Sequence, residues 1–186
     1  QFPYLEGFEA GEAGWGRTFL YALSDKLTES VAPFTAANGK NFWGTRRVNF
    51  SFDVAYPVSA GYLVSPLFDI SALAKPWLSM SVNKQLCDGM DSVVLEYSQD
   101  TGRTWKSFPA GGDTKNWYDA PGQKSWRNCG NDYWQVVSTP LPVSGNGLVV
   151  RVLLRGANSL ADEFPRLPGG LLVDDVHIFD LVYPVF

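Results

Sequence analysis

The sequence predicts an all-β protein, an antiparallel sandwich or barrel. Apolar residues alternate with period two in several runs, turn residues separate these runs, and helical patterning is almost absent. The 18 Gly and 12 Pro are spread along the chain and divide it into short segments, which disfavours long helices. Many short strands with turns between them are typical of antiparallel sandwiches and barrels.

Two runs show the alternation most clearly. Between residues 92 and 98, Val93, Leu95 and Tyr97 share one face of a strand and Glu96 lies on the other. Between residues 148 and 155, one face is wholly aliphatic and the opposite face carries two arginines. The first run is predicted to be a half-buried strand, and the second a strand with its aliphatic face on a core. Further strand candidates are 61–68, 77–86, 133–139 and 171–181, and the only helical pattern, one or two turns, lies within 19–28.

Length and composition indicate one domain over residues 1–186 with a packed core. The 186 residues are 45% hydrophobic and carry a formal net charge of -4, and the basic residues are scattered. Nucleic acid is therefore not an expected partner. The sequence has no apolar run long enough for a spanning helix and no signal-peptide layout at its start, so we expect no membrane insertion and an already processed chain, or one segment of a longer one.

The two cysteines, Cys87 and Cys129, are not spaced as a C-x-x-C pair. A zinc knuckle is therefore not expected. The sequence leaves open whether they form one long-loop disulfide, which would imply an oxidising compartment, or remain two separate thiols.

The segment 98–105 fits the pattern S-x-D-x-G-x-T-W and looks like an Asp-box. Its expected role is architectural. The Asp100 carboxylate can accept backbone N–H groups in a turn, Gly102 can take a positive φ, and the ring of Trp105 can fold back under the hairpin. A single copy in a chain of this length cannot build a propeller.

Adjacent aspartates, Asp174 and Asp175, interrupt an apolar strand near the end of the chain, and Glu9 lies near the start. An inward carboxylate is costly unless a cation or several donors satisfy it. If the first strand pairs beside the last, Glu9 approaches the two aspartates, and calcium prefers such oxygen ligands. The alternative is that one aspartate faces water and the other caps a turn.

Several motifs stand in a fixed order along nearly the whole chain. They are LEGFE with GW at 5–9 and 14–15, NFWGT at 41–45, YLVSPLFDIS at 62–71, the hairpin at 98–105, NWY at 116–118 and LVDDV at 172–176. This ordered set resembles the MAM-like, cleaved-adhesin-type jelly-roll modules of secreted Bacteroidetes proteins, and the middle of the chain is similar to reelin subrepeats. The resemblance implies a jelly-roll β-sandwich of two antiparallel sheets, secreted or at the cell surface, with a structural calcium held by Glu9 and by Asp174 or Asp175.

No catalytic residue is predicted. His177 is the only histidine, so H-E-x-x-H zinc chemistry is excluded, and neither a G-x-S-x-G elbow nor a phosphate loop occurs. A glycoside hydrolase remains the lesser alternative, because its chemistry requires only two suitably spaced carboxylates and the chain has 19 Asp and Glu.

The long segment 109–132 is rich in aromatic and planar polar residues. Flat rings beside hydrogen-bonding groups suit carbohydrate or a peptide loop, so we predict ligand-binding roles for Trp117, Tyr118, Trp126 and Trp134. The alternative is that these rings pin the segment onto the sheet.

These features together predict a non-catalytic secreted or cell-surface binding or adhesion module, with carbohydrate or a surface protein as partner. The competing hypothesis is a structural accessory or docking domain, which would bury an apolar patch against a neighbouring domain or subunit of a larger assembly.

Overall fold

The computed structural model describes residues 2–18, 21–24, 36–44, 60–85, 92–127, 133–155 and 170–181. In these ranges it is all-β, with one short 3-10 turn at Pro121–Gln123. The strands are β1 Tyr4–Glu6, β2 Gly16–Thr18, β3 Tyr21–Ser24, β4 Asn41–Gly44, β5 Ala60–Val64, β6 Pro76–Gln85, β7 Ser92–Ser98, β8 Lys106–Ser107, β9 Gln135–Pro140, β10 Val149–Arg155 and β11 Gly170–Asp180.

The strands form two antiparallel sheets. Sheet A has the order β3-β4-β11-β6-β9. β1 also pairs with β11, at residues 176–178, and lies on the same side of that strand as β4, which pairs at residues 172 and 173. Sheet B has the order β2-β5-β10-β7-β8. This is the predicted jelly-roll β-sandwich. The expected meeting of the chain ends is also confirmed, because Tyr4 lies opposite Ile178 and Glu6 opposite Val176.

The core lies between the sheets and follows the predicted alternation. Leu95 and Val152 of sheet B, and Met80 and Val173 of sheet A, belong to one buried hydrophobic cluster. Each buried side chain of this size contributes about 1.5–3 kcal/mol relative to an exposed one. The alternation therefore fixes which face of each strand is left outward.

The helical prediction for 19–28 is wrong where the structure describes it. Tyr21–Ser24 is strand β3 and pairs with β4, with Ala22 opposite Trp43. Ladder hydrogen bonds to a neighbouring strand outweigh the weak preference expressed by leucine spacing in so short a segment. The rest of that stretch, and both Cys87 and Cys129, lie outside the described residues. No described helix is long and apolar enough to cross a membrane.

The hairpin between β7 and β8 has the predicted turn chemistry. Asp100 Oδ1 accepts the Thr104 backbone N–H at 2.8 Å and the Ser98 hydroxyl at 2.6 Å. These hydrogen bonds, with those of the Thr104 hydroxyl, hold the pKa of Asp100 well below its usual range. Gly102 has φ +90°, and the Trp105 ring lies beside it. The turn thus places Trp105 next to sheet B.

Candidate functional site

The segment from 109 to 127 bridges the two sheets. Trp126 exchanges two backbone hydrogen bonds of 2.9 Å with Val93 of β7, and Lys115 exchanges bonds of 3.0 and 3.1 Å with Ser138 of β9. Asn116 adds a side-chain bond to the Val136 carbonyl at 2.9 Å. The segment is therefore attached to sheet B on one side and to sheet A on the other.

Three of the four predicted ligand-binding rings face inward. Trp117, Tyr118 and Trp126 pack on one another with ring centroids 5.0–5.2 Å apart, and their exposed fractions are 9%, 7% and 0%. Burial raises the pKa of the Tyr118 hydroxyl, which bonds to the Leu95 backbone. Burial leaves these three rings little surface for a ligand in this structure, and their contacts attach the segment to the core. Their ligand-binding role stays a prediction.

Trp134 lies apart from these rings. It precedes β9 of sheet A, is half-buried, and meets Phe42 edge-on with centroids 5.8 Å apart. The four rings thus do not form one surface, and the ligand-binding role of Trp134 stays a prediction.

Asp174 is a fully buried carboxylate at an irregularity in β11, where the register with β6 shifts between Asp174 and His177. Its Oδ2 accepts the backbone N–H groups of Ala37 at 3.0 Å and Asn38 at 3.2 Å, and its Oδ1 accepts that of Asp175 at 2.7 Å. Burial raises the pKa of Asp174 to about 6, although the N–H groups oppose the shift. The site thus stabilises a negative charge only partly.

Glu9 contacts the same turn. Its Oε1 accepts the backbone N–H groups of Lys40 at 2.8 Å and Asn41 at 2.7 Å, which lower the pKa of Glu9. Gly39 has φ +70°, and a Cβ there would overlap the Glu9 carboxylate. The turn at 36–41 therefore binds one carboxylate from each end of the chain, as the pairing of β1 with β11 led us to expect.

Asp175 follows Asp174 in a left-handed conformation, with φ +47°. Its Oδ1 lies beside Gly7, 3.5 Å from where a Cβ would stand. Within the described ranges, no three His, Cys, Asp or Glu side chains are grouped so as to hold a metal ion. A cation here would therefore need Glu9 and Asp174 together with neutral oxygens, which calcium accepts.

A second buried carboxylate lies on the outward face of sheet B. Glu96 of β7 stands opposite Arg151 of β10, and both Nε and Nη2 of Arg151 donate to Glu96 Oε2 at 2.6 Å. The guanidinium carbon of Arg151 lies 4.0 Å from the centroid of the Trp105 ring. This stacking and the ion pair orient one arginine from two sides.

Two further side chains belong to this surface. Arg155 places Nη2 3.7 Å from Glu96 Oε1, beyond hydrogen-bond distance. Tyr62 of β5 lies opposite Leu153, which separates the two arginines along β10. Diagonal neighbours in such a sheet are about 7–8 Å apart at Cα. We call Tyr62, Glu96, Trp105, Arg151 and Arg155 the charged face.

The charged face combines buried and exposed side chains. Val94 and Leu153 point the same way as Glu96 and are nevertheless buried, with exposed fractions of 5% and 8%. Tyr62 and Arg155 are exposed. The face thus offers a ligand one exposed ring and one exposed cation beside a buried ion pair.

The charged face was not predicted, although the sequence carries a signal for it. Alternation in β7 and β10 places Glu96, Arg151 and Arg155 on the sides opposite the aliphatic ones. Only the pairing register shows that Glu96 meets Arg151 directly.

No protein-family model and no curated protein sequence matches the chain. Solved structures of the same jelly-roll class do. The K1 cleaved adhesin domain of Lys-gingipain from Porphyromonas gingivalis W83 matches with TM-score 0.56 at 14% identity, covering 98% of this chain and 100% of that one. The K3 domain matches with TM-score 0.54 at 15% identity, over 95% and 98%.

A third match is the structure of the CBM22-1 and GH10 modules of Clostridium thermocellum xylanase 10B complexed with xylohexaose. It has TM-score 0.53 and 11% identity, and covers 98% of this chain but 29% of that one. At these identities the likeness shows a shared fold.

Proposed function

We propose that the protein is a non-catalytic binding module, secreted or displayed at a cell surface, that holds a saccharide on the charged face. The observation that carries the proposal is the Glu96–Arg151 ion pair on the outward face of sheet B, with Trp105 stacked on Arg151 and Tyr62 exposed nearby. Flat rings beside fixed planar hydrogen-bonding groups suit saccharide binding. The charged face combines them.

The fold comparisons support a binding role. The matched structures are described as cleaved adhesin domains and as a carbohydrate-binding module joined to a catalytic module. Both descriptions concern modules that work beside other domains, so this chain is proposed to do the same.

A catalytic role receives less support. Glu96 is the only carboxylate on strands β5, β7 and β10, whereas glycoside hydrolysis canonically uses two. The imidazole of His177 is on the other sheet, packed 4.7 Å from the Phe179 ring.

A structural calcium forms part of the proposal. Glu9 and Asp174 would hold it beside the turn at 36–41, and it would supply the positive charge that the buried Asp174 carboxylate lacks. Its role would be to stabilise the junction of the two chain ends.

The test is a calorimetric titration of the intact protein with a panel of soluble neutral and acidic polysaccharides. Tyr62→Ala should weaken binding about tenfold, as expected for loss of one stacked ring. Tyr133→Ala is the matched control, because Tyr133 is also exposed but precedes β9 of sheet A. Loss of binding in Tyr133→Ala alone, or a panel without any ligand, would contradict the proposal.

A further inference from the structure

The charged face has more cations than anions. Strands β5, β7 and β10 carry Arg151, Arg155 and Glu96 as their charged residues, so two positive charges meet one negative charge. The chain as a whole has net charge -4. This surface is therefore positive within an acidic protein, and a ligand with complementary charge would be negative.

The two arginines are not equivalent. Arg151 is fixed by two hydrogen bonds to Glu96 Oε2 and by the Trp105 ring, and its side chain is 22% exposed. Among the described residues, the one charged partner of Arg155 is Glu96, whose Oε1 lies 3.7 Å away, and the Arg155 side chain is 58% exposed. An anion that bound Arg151 would have to compete with Glu96, whereas Arg155 keeps its donors for a ligand.

An exposed guanidinium such as that of Arg155 prefers ligands with paired oxygen atoms. Its N–H groups form a planar fork that matches two oxygens of one carboxylate or sulfate group. Tyr62 is diagonal to Arg155 across one strand spacing, so the pair can contact one sugar unit, the ring on its apolar side and the guanidinium on an acidic substituent.

We infer that the charged face selects an anionic glycan, whose carboxylate or sulfate group binds Arg155 while Arg151 remains on Glu96. This inference rests on the proposed saccharide-binding function and names its ligand class. Uronic acids and sulfated sugars share the required group, and the experiment separates them.

The experiment compares charged and neutral forms of the same polymers. The affinity of the protein for polygalacturonate is compared with its affinity for the methyl ester, and its affinity for dextran sulfate with that for dextran. Poly-glutamate serves as an acidic polymer that has no sugar. We expect at least one charged glycan to bind about tenfold more tightly than its neutral form, and to weaken as NaCl rises from about 50 to 200 mM. Preference in the first pair identifies a carboxylate ligand, and in the second a sulfate ligand.

Two variants assign the preference to Arg155. Arg155→Gln should abolish the tighter binding of the charged form over the neutral form, while Arg155→Lys, which keeps the charge but not the fork, should retain part of that difference. Lys115→Gln is the control, because it removes one exposed charge on the side of the molecule next to β9.

The outcomes separate the two proposals. Equal binding of charged and neutral glycans, a preference that survives Arg155→Gln, or equal binding of poly-glutamate would overturn the inference and leave saccharide binding standing. Absence of binding to every polysaccharide would overturn the proposed function itself.

Discussion

Asp174 and Glu96 are both buried carboxylates on inner strands, one in each sheet, but their counter-charges differ. Asp174 accepts three backbone N–H groups, whereas Glu96 faces two guanidinium groups. The backbone N–H groups hydrogen-bond the Asp174 carboxylate but do not neutralise its charge, whereas Arg151 neutralises the charge of Glu96. Sheet B therefore carries its own cation, whereas the buried carboxylate at the end of sheet A is held by backbone N–H groups.

We expect the largest loss of stability when Arg151, the cation that pairs with Glu96, is removed. Arg151→Met leaves a buried carboxylate with only the distant Arg155, and we expect the free energy of unfolding to fall by about 3 kcal/mol at pH 7. Urea denaturation measures this. The double variant Glu96→Gln with Arg151→Met should recover most of the loss, since no buried charge then remains.

An Arg151→Met protein as stable as the parent would contradict the comparison. It would mean that Glu96 is as well solvated on the face of sheet B as in water, and that the ion pair does not contribute to the free energy of unfolding.

The next effect concerns the calcium proposed beside Asp174. At calcium concentrations about a hundredfold above the dissociation constant, we expect a gain of about 2–3 kcal/mol and a rise in melting temperature of about 5–10 °C over the chelated protein. Asp174→Asn should lose the response. Asp180→Asn is the control, because Asp180 lies on the same strand but binds the N–H groups of Ala74 and Lys75.

If the melting temperatures with calcium and with chelator were equal, and the purified protein contained no calcium, then Glu9, Asp174 and Asp175 would not form a calcium site. The Asp174 carboxylate would then be held by the turn at 36–41 alone.

A smaller effect is the pH dependence of the metal-free protein. Burial raises the pKa of Asp174 from 3.8 to about 6, so the fold favours the protonated form. Stability from this group is present below about pH 4 and is lost as the pH rises to about 6, by roughly 2 kcal/mol. Thermal melts of parent and Asp174→Asn between pH 4 and 7 measure the difference. A constant difference would contradict the assignment, and calcium should flatten it.

The sequence predicted much of the fold and one of the two carboxylates. Alternation identified the inward faces of β7 and β10, and the adjacent aspartates in an apolar strand indicated a buried acid that the structure places at Asp174. These predictions succeeded because period two and the cost of a buried charge act within a few residues.

Long-range pairing could not be predicted in the same way. An exposed and a buried tryptophan look alike in sequence, and Trp126 is buried because its backbone pairs with Val93. Likewise, Glu96 and Arg151 meet only through the register of β7 and β10. The strand at Tyr21–Ser24 was missed because its pairing with β4, the next strand along the chain, leaves no mark in its own leucine spacing.

The smallest expected effect sharpens the contrast between the two arginines on sheet B. Arg155 is 58% exposed and makes no direct hydrogen bond to Glu96, and exposed ion pairs contribute about 0–1 kcal/mol. Arg155→Gln should therefore lower the free energy of unfolding by less than about 1 kcal/mol, measured by urea denaturation beside Arg151→Met. Comparable losses in the two variants would mean that both arginines neutralise Glu96 as one unit. A small loss would leave Arg155 as a cation that the fold does not use for its own stability.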